Sequence, residues 1–439
     1  MLKVRLDPPQ ILILGFGVVI LLGSILLNTP WAVKDGTSNW LTALFTATSA
    51  VCVTGLVVVD TQTHWTLFGQ IIIMLLIQVG GLGIMSFATF FFLLLGKRIN
   101  LKQRIIMQQS INKNSVEGIV NVFRYLLLFS FIVEVIGCII LAVHWTSSMG
   151  ITKAIWFGIF HSISAFNNAG FDLFGNFSSL TEFSTDMMTN MVISSLLIIG
   201  GLGFVVVFEI YNFKNSRKIS LHSKVTLITT AILIILGTII ILVSEYNHAL
   251  SEYTLSGKLI AAYFQSVTPR TAGFNTIDLS KLLLSTQLFI MVLMYVGGSP
   301  GSTAGGIKTT TFTLLWLAIY SLLRGKKDTE ILGRRIPHQE VFRALAIALL
   351  SIFFIVLIVF LILLTHEADF IKVLFEVISA LGTVGLSLGL TTDLNTIGRI
   401  LIIITMFVGR LGPLTIGYAL AYRKKQPDIR YPEGKIMIG

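Results

Sequence analysis

Apolar residues fall in eight long runs along this chain, at about Ile11 to Leu27, Leu67 to Leu95, Val120 to Val143, Met187 to Tyr211, Lys224 to Val243, Thr286 to Leu323, Val341 to Leu364 and Ile397 to Tyr422. Each is near the roughly 20 residues that cross a bilayer core, so the pattern predicts an all-α integral membrane protein with eight transmembrane helices. After every odd-numbered run comes a shorter stretch of apolar and small polar residues, and these four stretches share one spacing. Counting back from Gly55, an aromatic lies at ten (Phe45), Ser49 at six and Ala50 at five, and Leu56 follows. Phe160, Ser164, Ala165, Gly170 and Phe171 repeat those offsets, as do Phe375, Ser379, Ala380, Gly385 and Leu386. A looser copy carries Tyr263, Val267, Thr268, Gly273 and Phe274.

Internal repetition outranks any local reading. Each copy predicts a short apolar helix ending in a small-residue loop around glycine, too short to cross the membrane and therefore re-entrant. The expected architecture is four pseudo-symmetric helix, pore-loop, helix units around one central pore. They occupy residues 1–110, 111–216, 217–330 and 331–439, the third with a broken second helix and the fourth with a cytoplasmic tail. A glycine pair recurs in the second helix of three units, at Gly80 and Gly81, Gly200 and Gly201, and Gly297 and Gly298; in the fourth, Gly409 is followed by Arg410.

Composition agrees with a bilayer setting: 54% of residues are hydrophobic, 12% are charged, and mean hydropathy is +0.85, beyond what a soluble domain carries. The formal net charge of +11 does not mark a nucleic-acid binder, because the basic residues sit in short loops between spans. Lys3 and Arg5, the groups Lys97 to Lys113, Lys214 to Lys218 and Arg324 to Arg335, and Arg423 to Lys425 place those loops and both termini in the cytoplasm by the positive-inside rule. The glycine loops then enter from outside. The run after Lys3 and Arg5 has no small-x-small cleavage site behind it and reads as a retained first span. Cys52 and Cys138 and the scattered histidines show no metal spacing and read as packing or interfacial residues.

Irregular backbone at membrane depth needs partners for its N–H and C=O groups, or a water-filled cavity. Four such loops converging on an axis supply a ring of carbonyls that replaces the hydration shell of a monovalent cation, with the short helices aiming their C-terminal dipoles inward. No acid occurs in the loops from Cys52 to Gly55, Asn167 to Gly170, Arg270 to Gly273 or Gly382 to Gly385, against a calcium-type acidic ring. Glycines also serve tight turns and helix packing, yet packing alone does not require one shared spacing. Arg270 either braces the third loop or is solvated at the outer mouth.

The sixth span reads GGSPGSTAGGIKTTT from Gly297 to Thr311. Glycine and proline at that density predict two half-helices around a mid-membrane loop, rather than a single kink. The stretch misses a phosphate-binding P-loop by one residue, Ile307 before Lys308. A charge such as Arg410 inside a span must face a cavity or a partner. The expectation is that it contacts the broken sixth span and forms a barrier to the ion; the alternative is a buried ion pair with Glu134 or Glu209, and Lys308 is open in the same way.

These features together, the loops CVTGL, NNAGF, RTAGF and GTVGL, the sixth-span break and VGRLGP, resemble the Trk/Ktr/HKT superfamily of potassium transporters, nearest to KtrB-type membrane subunits. The resemblance implies a potassium filter made mainly of the backbone carbonyls of Val53, Thr54, Gly55, Asn168, Ala169, Gly170, Thr271, Ala272, Gly273, Thr383, Val384 and Gly385. It implies a gate of Gly297, Gly298, Ser299, Gly301, Ser302, Thr303, Gly305, Gly306 and Lys308 beside Arg410. It further implies a homodimer in plasma-membrane lipid on a cytosolic ring of nucleotide-binding regulatory subunits (RCK-type, KtrA-like), sodium dependence in part of the family, and no organic cofactor. No loop carries the full TVGYG of potassium channels. Two other classes remain as alternatives: a membrane-embedded enzyme, for which Glu134 and Glu209 lack a histidine partner, and the channel-like subunit of an ATP-driven potassium pump.

Overall fold

The computed structural model describes residues 8–37, 39–83 and 119–420. They form helices almost throughout. The first apolar run is α1 (Pro8–Leu27), followed by the short α2 (Trp40–Val51) and by α3 (Leu67–Leu82). Next come α4 (Ile119–Met149), α5 (Ile151–Phe166), α6 (Met187–Leu202) and α7 (Phe204–Tyr211). The third set is α8 (Leu221–Glu245), α9 (Leu255–Val267), α10 (Leu284–Tyr295) and α11 (Thr309–Leu323). A hairpin of β1 (Thr329–Ile331) and β2 (Arg334–Ile336), pairing Glu330 with Arg335, leads to α12 (His338–Thr365), α13 (Phe370–Gly382), α14 (Thr396–Leu411) and α15 (Pro413–Leu420).

Four of these helices contain uninterrupted apolar spans long enough to cross a membrane: Gln10–Leu27, Arg124–Met149, Leu221–Glu245 and His338–Thr365. Their exposed faces are apolar, with Phe131, Ile235, Val243 and Phe353 turned outward. This is the arrangement of helices solvated by lipid rather than by water.

In the second, third and fourth sets the second helix differs from the straight span that hydropathy alone predicts, and the rest of the run that begins with α3 lies outside the described residues. The bend between α6 and α7 is 100°, at Gly203, whose φ is 92°. Equivalent left-handed glycines end α3 (Gly83, φ 85°) and separate α14 from α15 (Gly412, φ 85°). Fragments rather than continuous spans therefore make up the fourth and eighth apolar runs, and the sixth is interrupted over 296–308. A left-handed residue ends a helix because it turns the chain away from the axis. The basic residues before α1, those from Lys97 to Lys113 and those after α15 lie outside the described residues.

The short helices α2, α9 and α13 start with side-chain caps, Asn39 accepting from Leu41 N–H, Thr254 from Gly257 and Asp369 from Ile371. Thr66, Asp186 and Asn395 cap α3, α6 and α14 in the same way. Each cap satisfies an otherwise orphaned N–H.

Candidate ion pathway

At the C-terminal ends of α2, α5, α9 and α13 the chain makes the same turn four times. Val53, Asn168, Thr271 and Thr383 have φ of 49°, 56°, 70° and 50°, and the glycines two residues later, Gly55, Gly170, Gly273 and Gly385, have 87°, 71°, 83° and 94°. Alternation between left-handed and ordinary residues cancels the strand's habit of turning successive groups to opposite faces. Three of the left-handed residues are β-branched, for which this region is an outlier. Such strain costs on the order of 1–3 kcal/mol each and persists at ligand clamps.

A hydroxyl at the repeated position fastens each turn. Gly55 N–H donates to Ser49 Oγ at 3.1 Å and Gly385 N–H to Ser379 Oγ at 3.1 Å. Ser164 Oγ donates to the Phe171 carbonyl at 2.7 Å, and Thr268 Oγ1 does the same to Phe274. The third copy looks looser in sequence because its hydroxyl stands one residue later.

The four turns face one another. A methyl group at Gly55 would lie 2.5 Å from the Ala169 carbonyl oxygen, one at Gly170 2.9 Å from Ala272 O, and one at Gly273 2.6 Å from Val384 O; at Gly385 it would collide with Thr54 O. The sequence of contacts, first loop to second to third to fourth and back to the first, closes a ring. All four glycines line one cavity of about 490 Å³, together with Asp60, Asp172 and Asp278. Burial, opposed by the Phe174 N–H bond and reinforced by the Asp60 charge, raises the Asp172 carboxyl to about 7. These carboxylates were not singled out from the sequence, although Asp60 and Asp278 each stand five residues after a loop glycine.

Close approach also explains the second-helix glycines. A side chain at Gly80, Gly200 or Gly409 would strike the carbonyl of Val51, Phe166 or Leu381, the final turns of α2, α5 and α13. Only glycine lets those helices reach the ring's support.

The segment between α10 and α11 is stitched to its neighbours. Gly297 N–H bonds Ile307 O at 2.9 Å and Thr309 N–H bonds Gly298 O at 3.0 Å, closing the base of the loop. Ser299 N–H reaches Gly201 O at 3.0 Å, Thr303 N–H reaches Gly200 O at 3.3 Å, and the Gly301 carbonyl takes Phe204 N–H at 2.9 Å. Thr303 Oγ1 donates to Asn168 Oδ1 at 3.0 Å, and Gly305 abuts the Thr383 side chain. The loop thus touches both the second and fourth turns of the ring. Ser302 Oγ donates within the loop, to Ser299 O at 2.7 Å, while the Pro300 carbonyl lies against Gly203 at the bend between α6 and α7.

Arg410 joins this loop to the end of α3. Its Nη1 donates to Thr303 O, and its Nη2 to Gly80 O and, at 3.2 Å, to Gly81 O. The ion-pair alternative does not hold: Glu134 accepts from Gln78 and Asn167, and Glu209 accepts from Ser220 N–H at 3.0 Å. Carbonyls at a helix break partner the arginine instead. Lys308 Nζ turns onto its own loop, 2.8 Å from Ala304 O. Arg270 is buried, with Nη2 3.4 Å from Thr230 Oγ1 on α8, so it is not solvated at the outer mouth.

The chain matches the TrkH family of cation transport proteins over residues 7–431. It is 42% identical to the Ktr system potassium uptake protein B of Bacillus subtilis, over 99% of this chain and 98% of that one. Identity is 41% to the potassium/sodium uptake protein NtpJ of Enterococcus hirae, over 99% and 98% of the two chains. In fold it is similar to the potassium transporter TrkH of Vibrio parahaemolyticus, with a TM-score of 0.77 at 19% identity, covering 95% of this chain and 86% of that one. Sequence agreement that runs end to end, on apolar helices and in a chain of matching length, makes this multi-pass membrane protein a member of the TrkH family of cation transport proteins, a transporter family and not an enzyme class.

Proposed function

We propose that this chain is the ion-translocating subunit of a potassium uptake system, crossing the plasma membrane eight times as four consecutive helix, pore-loop, helix units with both termini cytoplasmic. The carbonyls of Val53 to Gly55, Asn168 to Gly170, Thr271 to Gly273 and Thr383 to Gly385 form the filter. The observation that carries this reading is the closed order of contacts among the four glycine turns. Backbone oxygens around an axis substitute for the water shell of a large monovalent cation, and the acid-free loops do not bid for calcium. The carboxylates of the outer cavity raise the local cation concentration. Below the ring, the loop from Gly297 to Gly306 and Arg410 act as the gate.

The relatives named for the Ktr system support a partner subunit for this chain; a cytosolic nucleotide-binding ring and a homodimeric membrane assembly are what the family resemblance adds. The relative named for potassium and sodium supports sodium as a second transported ion or a coupling ion. The discriminating experiment is flux from proteoliposomes holding the purified full chain. Potassium running down its gradient without ATP, faster than sodium, is the expected result. Absence of flux without ATP, restored only with a hydrolytic subunit, would sink this reading in favour of a pump subunit.

A further inference from the structure

Glu134 sits within α4 and is only 5% exposed. It contacts neither Arg410 nor the loop beneath the ring. Gln78 Nε2, on α3, donates to both of its carboxylate oxygens at 3.0 and 2.9 Å. Asn167 Nδ2 donates to Glu134 Oε1 at 3.2 Å and to Gln78 Oε1 at 2.7 Å. Every partner offers the carboxylate an N–H, the arrangement an acceptor-only group requires. Ser162 Oγ ties the Glu134 main-chain carbonyl to α5 at 2.6 Å.

Asn167 is the cap of α5, and its Nδ2 also closes the last turn onto Ile163 O at 2.9 Å. The next residue is Asn168, left-handed, with its side chain on Thr303 of the gating loop. The adjacent side chains of Asn167 and Asn168 are therefore held by different partners, one by Glu134 and Gln78 and one by the loop. The matching positions in the other turns are Cys52, Arg270 and Gly382. Gly382 has no side chain, and among the described residues no carboxylate accepts a hydrogen bond from Cys52 or Arg270. This clamp is peculiar to the second turn.

We infer that Glu134 is a positioning residue for ion selectivity, which acts through Asn167 to hold the second turn at the ring width that favours potassium over sodium. The inference rests on the filter reading above. A residue that merely fills space would lower uptake of both ions alike when removed. A residue that sets ring geometry changes their ratio.

The test measures potassium and sodium flux from proteoliposomes for wild type, Glu134→Ala, Glu134→Gln and Asn167→Ala. Wild type must prefer potassium; if it does not, the filter reading itself fails, and this inference with it. Glu134→Ala is expected to reduce the potassium-to-sodium flux ratio about tenfold while still passing potassium, the equivalent of one buried hydrogen bond. Glu134→Gln keeps one side-chain oxygen that accepts from Asn167 Nδ2, and should retain most of the ratio. Asn167→Ala cuts the same link while leaving the acid bound to Gln78, and reads the effect even if Glu134→Ala does not fold. A wild-type ratio in either alanine variant overturns the inference, as does a glutamine variant as unselective as the alanine one, which would make the charge rather than the hydrogen bond responsible.

Discussion

Replacing Arg410 with glutamine should raise potassium flux, and the size of the rise follows from its partners. The guanidinium donates to Thr303 on the loop between α10 and α11, the proposed gate, and to Gly80 and Gly81 at the end of α3. A hydrogen bond to a charged group contributes about 1.5–3 kcal/mol, and glutamine, shorter and neutral, cannot span both sides. Losing the Thr303 link alone shifts the closed-to-open ratio by about 10- to 100-fold, at roughly 1.4 kcal/mol per decade. The links from Ser299 and Thr303 to Gly201 and Gly200 remain, so the loop stays attached and the gain is bounded. Removal of the positive charge acts in the same direction, by about 2 kcal/mol for a cation ~8 Å away at an effective dielectric near 20. Arg410→Lys separates the two contributions, because it retains the charge and loses the fork; an intermediate flux is expected. The assay is potassium efflux from proteoliposomes, with thermal unfolding in detergent as the control for folding. Flux equal to or below wild type in a protein that unfolds at the wild-type temperature would refute the reasoning.

Gly55→Ala and Gly170→Ala place a methyl group 2.5 and 2.9 Å from the carbonyl of the next loop, at φ of 87° and 71°, so both should lose potassium preference in competition uptake against sodium. Ser49→Ala and Ser379→Ala leave the buried Gly55 N–H and the half-buried Gly385 N–H without their acceptors, a cost of about 1–3 kcal/mol for the buried one and less for the other, visible as a lowered unfolding temperature; unchanged values would mean that the turns hold without the hydroxyl. Asp172 is charged above about pH 7 and neutral below it, so the field at the outer mouth weakens as pH falls. Uptake at low external potassium should therefore decline from pH 8 to pH 6, and Asp172→Asn should flatten that part of the profile.

Much of the ion pathway is legible from residue spacing. Phe45 to Leu56 and its three relatives announce four like turns, since a backbone that must adopt one geometry four times restricts the same positions each time. The hydroxyl of that motif has a visible purpose only in three dimensions, where Ser49, Ser164, Thr268 and Ser379 fasten the turns. The breaks at Gly83, Gly203 and Gly412 carried a signal in the repeated GGLG, GGLG and GRLG, but hydropathy windows average over a single left-handed glycine. Glu134 looked like a partner for Arg410 because an unpaired buried charge calls for an opposite one.

By itself the chain determined that it lives in a bilayer, that one glycine motif recurs four times, and that its loops carry no acids, because apolar length and glycine placement are local properties. Only the tertiary structure decided that the turns meet in a ring, that Arg410 satisfies itself on carbonyls at helix breaks, and that Glu134 holds Asn167 instead. Those pairings join residues from 33 to 330 positions apart. Such contacts depend on which helices pack together, and no spacing along the sequence encodes that choice.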